Sequence, residues 1–276
     1  MMIRTSFSMR ATTLIVATMT TATMFILSNA GAESLQMKSM SGKLDTWPGG
    51  NGRVITDDGI VIGLVDEQGN VSVTAAGAPK GGIYPISTGY KCDGTNLSNP
   101  SANYQNLGNK FAVIDDGSTP IGRVIVASSF DVASWDVNPV SNAAVPGYTI
   151  SLVYVDQATQ STGFCQNASD MQDRRLDFKP GWNIQKTQIT AVGDSPFFEP
   201  DQPTRTILET IDAMPSDAKW IYESFSPAQQ ESMSKNPNLP SPVQEVIDEA
   251  TDVATEAAKD EVNDSVRRGI GRLFGK

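Results

Sequence analysis

Few side chains in this sequence are of the types that most often carry out catalysis. The chain contains no histidine among its 276 residues. Histidine supplies the general base of Ser/His/Asp and Cys/His triads, and its imidazole is a common zinc ligand. The composition therefore excludes both kinds of triad, histidine-ligated zinc and imidazole general bases.

Other nucleophile and phosphate-binding motifs are isolated or absent. Ser216-Asp-Ala-Lys219 fits the Ser-x-x-Lys pattern in which a lysine activates a serine, but the accompanying Ser-Asp-Asn and Lys-Thr-Gly motifs do not occur. No Gly-x-Ser-x-Gly elbow, Walker loop or dinucleotide-binding glycine loop is present. We therefore assign no catalytic residue and predict no cofactor.

The 31 Asp and Glu residues allow two further chemistries. Carboxylates in turns can bind calcium, and six acids lie at predicted turns: Asp57, Asp58, Asp66, Glu67, Asp115 and Asp116. Acids are also favoured in turns because they bond to the backbone, and no Asp-x-Asp-x-Asp-Gly spacing occurs, so we predict no metal site. Paired carboxylates could hydrolyse glycosidic bonds, but the sequence singles out no pair.

Charge argues against nucleic acid as a partner. Lys and Arg total 21, and without Arg4 and Arg10 of the N-terminal segment 19 remain against 31 acids, a net charge of about −12. This balance repels phosphate backbones.

The N-terminal segment, residues 1–32, is predicted to be a secretory signal peptide. Arg4 and Arg10 precede an apolar run, and Ala30-Gly-Ala32 supplies the small residues that a signal peptidase accepts before Glu33. The alternative is an uncleaved anchor, but six threonines dilute the apolar run below what a membrane span needs. We expect a periplasmic or extracellular protein.

Export favours a disulfide between Cys92 and Cys165, the only two cysteines in the chain. A metal site would need further soft ligands that a chain without histidine does not supply. A redox-active pair is the other alternative, but no Cys-x-x-Cys motif is present.

Residues 33–222 are predicted to form a β-domain built from hairpins. Residues 53–56 and 60–65 flank Asp58-Gly59, and the second of these runs is joined to residues 71–74 by a turn at Gly69-Asn70. Residues 110–114 and 121–127 form a third predicted hairpin.

The second half of this domain is expected to be organised around a central strand at residues 148–155, where alternation predicts one strongly buried face. Cys165 is expected to close a hairpin after it, and residues 174–178 and 182–184 to pair around Lys179-Pro-Gly181.

Residues 89–109 and 128–146 are expected to be irregular, and residues 204–212 to form a short helix. Residues 219–222 are predicted to form the last strand, and residues 223–242 a short helix followed by a Pro/Asn linker.

The order of short motifs resembles a group of uncharacterised secreted bacterial β-domain proteins over roughly residues 44–222. The shared elements are Trp47, Val65-Asp-x-x-Gly69-Asn, Gly89-x-x-Cys92-x-Gly94, Tyr154-Val-Asp156, Gly163-x-Cys165, Leu176-x-x-Lys179-x-Gly-Trp-Asn183 and Met214-Pro-x-x-x-x-Trp220. Met214-Pro stands where the pattern commonly has Leu-Pro, and residues 129–146 are extra. The resemblance implies an exported, disulfide-linked β-domain and carries no assigned activity.

The C-terminal segment, residues 243–276, is predicted to be an amphipathic helix. An apolar stripe runs along it, and its acidic start and basic end complement the helix dipole. Its end offers possible contacts to an anionic membrane surface or a partner protein: Arg267, Arg268, Arg272, Phe274 and Lys276. Alternatively, the helix packs on its own sheet or self-associates.

The expected fold class is mainly β, an antiparallel β-sandwich followed by a C-terminal amphipathic α-helix. The expected function is a non-enzymatic binding or structural module of the bacterial cell envelope, and the alternative is a carboxylate-dependent hydrolase of envelope glycans. Two neighbouring buried acids in a cleft would favour the hydrolase. Acids confined to hairpin turns would favour the module.

Overall fold

The computed structural model describes residues 37–79, 81–166, 170–194 and 201–240. The predicted signal peptide and the predicted C-terminal helix lie outside these residues. The same holds for the five possible contact residues, which are Arg267, Arg268, Arg272, Phe274 and Lys276.

The described chain is mainly β, as predicted. Its strands are β1 (Lys38–Asp45), β2 (Gly52–Ile55), β3 (Val61–Val65), β4 (Asn70–Ala75), β5 (Tyr84–Pro85), β6 (Thr95–Leu97), β7 (Asn103–Asn106), β8 (Lys110–Ile114), β9 (Pro120–Ala127), β10 (Gly147–Val155), β11 (Thr159–Gln166), β12 (Met171–Phe178), β13 (Gly181–Gly193), β14 (Gln202–Ile211) and β15 (Lys219–Ser224). Its helices are α1 (Ile86–Tyr90), α2 (Phe130–Val137) and α3 (Pro227–Ser234).

Seven strands close into a ring in the order β1, β4, β3, β2, β8, β9 and β15, and β15 pairs back onto β1. The last pairing is parallel and places Leu44 opposite Trp220, whereas the other neighbours in the ring are antiparallel. Inward side chains such as Val54, Val73 and Val113 fill the ring as part of the largest core cluster. The ring is therefore a packed core and not a lumen.

An outer sheet continues from the ring. Strand β10 contacts β9 at one residue pair, Thr149 opposite Ala127, and is followed by β13, β14, β12, β11 and β6. We call these six strands, from β10 to β6, the outer sheet. One face joins the ring core through residues such as Ile150 and Ile184, and the opposite face carries a second core cluster that includes Phe178.

The three predicted hairpins are confirmed as β2–β3, β3–β4 and β8–β9. Their turns form locally. Gly59 and Gly69 adopt φ values of 79° and 80°, which glycine reaches without steric cost. The strand at residues 148–155 is also confirmed: β10 has neighbours on both sides, and its residues from Ile150 to Val155 are buried.

The predicted pairing of residues 174–178 with 182–184 is wrong. Strand β14 lies between β12 and β13, so that Leu208 faces Arg174 on one side and Thr187 on the other. The Lys179-Pro-Gly181 connection therefore crosses over a strand. The hairpin expected at Cys165 is confirmed as β11–β12, where Cys165 lies opposite Gln172, and β11 pairs on its other side with β6.

The predicted helix at residues 204–212 is also wrong, because this segment is strand β14. Its threonines and isoleucines are β-branched and suit a strand. The segments expected to be irregular contain short elements as well: α1, β5, β6 and β7 lie within or beside 89–109, and α2 lies within 128–146. The serine-capped helix has formed as α3, where Ser226 accepts from Gln229 N–H and Pro227 is the first residue.

The two-layer sandwich is not confirmed, because seven of the strands form the closed ring described above. The mainly β and largely antiparallel character is correct. None of the three helices in the described part of the chain has the length and apolar character needed to span a membrane.

Candidate functional site

A groove lies at the seam between the ring and the outer sheet. It has a volume of about 210 Å³, and apolar surface dominates its lining. We call it the seam groove, and its lining comprises Thr56, Asp58, Ile60, Val61, Ile62, Thr74, Ala75, Ala76, Ala78, Pro79, Gln105, Leu107 and Trp182. Strands β3 and β4 supply the ring side, and β7 and β13 supply the opposite side.

Trp182 forms the aromatic wall of the seam groove. It is the second residue of β13, directly after the Lys179-Pro-Gly181 connection, and it is 4% exposed. Its ring packs edge-on against Tyr154, with centroids 5.4 Å apart. The packing against Tyr154 holds the indole in place, and only a small part of its surface is open to the groove.

The same tryptophan holds the rim of the groove. Trp182 Nε1 donates to the Gly77 carbonyl oxygen at 2.8 Å, and Ala76, Ala78 and Pro79 on either side of Gly77 line the mouth. The segment from Ala76 to Pro79 consists of small residues and is largely exposed apart from this contact. This hydrogen bond therefore couples the wall of the groove to its rim.

Gln105 places one polar atom in this apolar setting. Its Oε1 is fully buried and accepts no hydrogen bond from the described residues. Gly82 approaches the other amide atom so closely that a Cβ there would lie 2.9 Å from Gln105 Nε2. A buried carbonyl oxygen without a donor is costly, so a ligand N–H or O–H group that reached this oxygen would gain a hydrogen bond.

The opposite rim is polar but internally satisfied. Thr56 donates its hydroxyl to Asp58, and the Ile60 N–H donates to Thr56 Oγ1 at 3.1 Å. These bonds shape the Asp58-Gly59 turn. The acid at the rim is therefore occupied in turn formation.

Two of the other turn acids, Asp66 and Asp115, are used in the same way. Asp66 Oδ1 accepts from the Gln68 and Asn70 backbone N–H groups at 2.9 and 2.8 Å, and the Asn70 side chain donates to Oδ2. The hydrogen bond from the Asn70 side chain lowers the pKa of Asp66. Asp115 accepts from the Thr119 N–H. Within residues 37–79, 81–166, 170–194 and 201–240, no three Asp, Glu or Cys side chains cluster as metal ligands would.

The two cysteines form the disulfide that the sequence predicts. Cys92 follows α1 and Cys165 lies on β11, with Cα atoms 5.8 Å apart and a sequence separation of 73. Cys165 is buried and Cys92 is partly exposed. The bond ties the segment between α1 and β7 to the edge of the outer sheet.

Two further clefts are more polar. A cavity of about 380 Å³ lies between the ring and α3, and its cations are paired: Lys110 with Asp136 at 3.2 Å and Arg123 with Glu223 at 2.6 Å. A cleft of about 240 Å³ on the outer sheet includes Asp177 and Asp212, both exposed.

Sequence reasoning found part of the seam groove. Trp182 belongs to the Lys-x-Gly-Trp-Asn element singled out above, and the acids at the Asp58 turn were identified. Gln105 is not predicted from the sequence, because the composition of residues 89–109 indicates a surface loop. The run from Asn103 to Asn106 carries no apolar alternation that would have indicated a strand.

Comparison with protein-family models, curated proteins and solved structures finds no match to this chain. The function is therefore argued from the geometry of the site.

Proposed function

We propose that the protein is a non-enzymatic binding module of the bacterial cell envelope, and that the seam groove is its binding site. The observation that carries the proposal is the combination of an apolar groove, the Trp182 wall and the buried, unpaired Gln105 Oε1. Ligand sites are typically concave and apolar with a few polar groups that fix orientation.

The volume of the groove limits what it accepts. Pockets for drug-sized molecules measure about 300–1,000 Å³, and the seam groove measures about 210 Å³. A single branched or flat apolar group with an adjacent amide or hydroxyl fits this space. The ligand is thus a side chain or end group projecting from a larger envelope component.

The acids support a module over a hydrolase. Asp58, Asp66 and Asp115 accept hydrogen bonds within hairpin turns, and the buried Asp173 pairs with Arg175. None of these carboxylates lies beside a second buried carboxylate in one of the three clefts described above. This is the arrangement that we expect of a binding module.

The binding site is tested with 4-methylpentanamide, which carries a branched apolar tail and an amide donor. We expect it to shift the Trp182 indole N–H resonance in ¹H–¹⁵N NMR spectra, whereas the methyl ester of the same acid lacks the donor and binds about fivefold more weakly, as the loss of one hydrogen bond requires. In Gln105→Leu the two probes should bind equally, and Gln68→Leu, an exposed glutamine in a turn, serves as the control.

A second variant blocks the groove. Ala78→Trp places a bulky ring at the mouth and should abolish the shift, whereas Ala158→Trp at another exposed position should leave it unchanged. Equal binding of the amide to native protein and to Ala78→Trp would reject the seam groove as the site.

The hydrolase remains a second proposal because Asp177 and Asp212 line one polar cleft. Glycosidases use two carboxyl groups across the scissile bond. If this proposal holds, the mature protein should release reducing ends from purified peptidoglycan, and Asp177→Asn and Asp212→Asn should each abolish the release. Release that persists in both variants, or none from the native protein, would count against it.

We further propose periplasmic or extracellular residence after removal of residues 1–32. A disulfide is typical of oxidising compartments outside the cytoplasm. Intact-mass measurement on fractions of the native host should give a chain that begins at Glu33. Retention of the leader or a cytoplasmic location would contradict this proposal.

The segment 243–276 is proposed to contact an envelope partner or the membrane surface through its basic end, with packing on the chain itself or self-association as the alternative. Deletion of this segment should release the protein from envelope fractions. Unchanged envelope association after the deletion would exclude the contact.

A further inference from the structure

Arg174 is a buried arginine on an interior strand of the outer sheet. It lies on β12, directly opposite Gly163 of β11 and Leu208 of β14. Its side chain is on the same face as the second core cluster, and the residue is only 6% exposed. Arginine is among the residues least often found at such depth unless it is paired.

Its hydrogen-bonding groups are mostly unused. Nη2 donates to Gln172 Oε1 at 3.1 Å, whereas Nε and Nη1 are buried and have no hydrogen-bond partner among the described residues. No carboxylate of the described residues forms an ion pair with it. The nearby Asp170 directs Oδ2 to Gln172 Nε2 and Thr206 Oγ1, both at 3.2 Å.

A buried guanidinium cannot relieve this situation by losing its proton. Burial lowers the pKa of Arg174, but arginine stays charged in proteins because its ordinary pKa is above 12. Asp170 attracts this charge but forms no ion pair with the guanidinium, and a buried charge without a directly bonded partner is destabilising. Buried polar groups without partners commonly mark a bound water or ion.

We propose that Arg174 binds a small inorganic anion, of the size of chloride, in the interior of the outer sheet. The groups around the guanidinium are Tyr90 and Gln172, which are polar and uncharged, and Asp170, which attracts it without bonding to it, while the residue opposite on β11 is a glycine. Within the described part of the chain, the N–H groups of Nε and Nη1 therefore still lack an acceptor, and a small anion supplies one. The surrounding groups also limit its size: a Cβ on Gly163 would lie 2.5 Å from the Gly94 carbonyl oxygen, so the backbone around β6 covers this position closely. None of the three clefts described above is lined by Arg174.

Anomalous diffraction tests the site directly. Crystals of the mature protein are grown with bromide in place of chloride, and data are collected at the bromine absorption edge. We expect an anomalous peak within hydrogen-bonding distance of Arg174 Nε or Nη1. A water molecule there with no anomalous signal, or an empty site, would overturn the proposal.

A solution measurement uses matched variants on one strand. Thermal unfolding is followed while chloride replaces gluconate at constant ionic strength. The Tm of the native protein should rise with chloride, because a ligand that binds only the folded state stabilises it in proportion to the logarithm of its concentration once the site is filled. Arg174→Met should lose this dependence.

The control is Arg175→Met. Arg175 is the next residue on β12, is largely exposed and pairs with Asp173, so its loss removes one positive charge without touching the buried site. Arg175→Met should keep the chloride dependence of the native protein. An equal dependence in Arg174→Met would contradict the proposal, and if that variant does not fold, the bromide peak decides alone.

Discussion

Tyr90 shows how much one side chain contributes to the face of the outer sheet that does not join the ring core. It ends α1, and its hydroxyl donates to Gln185 Oε1 at 2.8 Å across a sequence separation of 95. Its ring packs edge-on against Tyr104 and Phe178, with centroids 5.0 and 5.2 Å away. Ser161 donates to its backbone carbonyl at 2.8 Å. One residue therefore holds the covering segment by apolar and polar contacts together.

The burial of Tyr90 predicts a loss of stability in alkali. Burial raises the pKa of its phenol above the ordinary value of about 10. Below that ordinary value the phenol is protonated in both states and its contribution to stability is fully present. Above it the unfolded chain loses the proton first, so stability falls by up to about 1.4 kcal/mol per pH unit until the folded-state pKa is reached.

The measurement is urea unfolding at a series of pH values from about 8 to about 11, which brackets the ordinary phenol pKa. Tyr90→Phe should show a shallower fall above about pH 10. Tyr84→Phe, which removes an exposed phenol, should keep the native slope. Identical slopes for native protein and Tyr90→Phe would contradict the argument.

At the scale of elements, the edge of the outer sheet depends on a close approach of two backbones. Strand β6 pairs with β11, and Gly163 faces Thr95 across the pair. Gly163 has a φ of 113°, a conformation that other residues adopt at a cost. The disulfide at Cys92 holds the start of β6 in this position.

Gly163→Ala is therefore expected to destabilise the protein by about 1–3 kcal/mol, because overpacking adds to backbone strain. The clash is with the backbone at Gly94, which cannot rotate away as a side chain would. Gly193→Ala is the matched control, since its Cβ would meet only the Thr204 methyl at 3.4 Å. Denaturant unfolding of both variants measures the difference, and equal stability would show that the edge adapts.

At the scale of the whole molecule, hydrogen bonds between strands close the ring, whereas the disulfide holds the edge of the outer sheet in place. Strand β15 completes the ring by pairing with both β9 and β1. The outer sheet ends at the three-residue strand β6, and Cys92 lies just before this edge. Short, tied edge strands are one way in which sheets avoid edge-to-edge association.

Removal of the disulfide should lower the free energy of unfolding by about 4 kcal/mol in the loop-closure description for a separation of 73 residues. Urea unfolding of the oxidised protein is compared with the Cys92→Ala, Cys165→Ala double variant. The double variant should also expose hydrophobic surface near β6, seen as increased binding of an apolar dye. A change in stability below about 1 kcal/mol would mean that the segment is held by Tyr90 and its neighbours without the bond.

The sequence by itself determined the local features of the fold. The Asp58-Gly59 and Gly69-Asn70 turns specify hairpins because a few adjacent residues set the backbone angles. The alternation at residues 148–155 identified the central strand because β10 has an apolar side chain at most positions. The disulfide could be predicted because the chain contains only two cysteines, so each has one candidate partner.

Only the tertiary structure decided which distant strands pair. Insertion of β14 between β12 and β13 depends on non-local hydrogen bonds. The β-branched residues of 204–212 suit a strand but do not specify which strands it pairs with. The same holds for Gln105 in the seam groove and for Arg174. Neither residue stands out in the sequence, because the burial of their polar atoms without a hydrogen-bond partner arises only when strands far apart in the chain pack together. Local chemistry fixes turns, whereas burial and pairing depend on the whole fold.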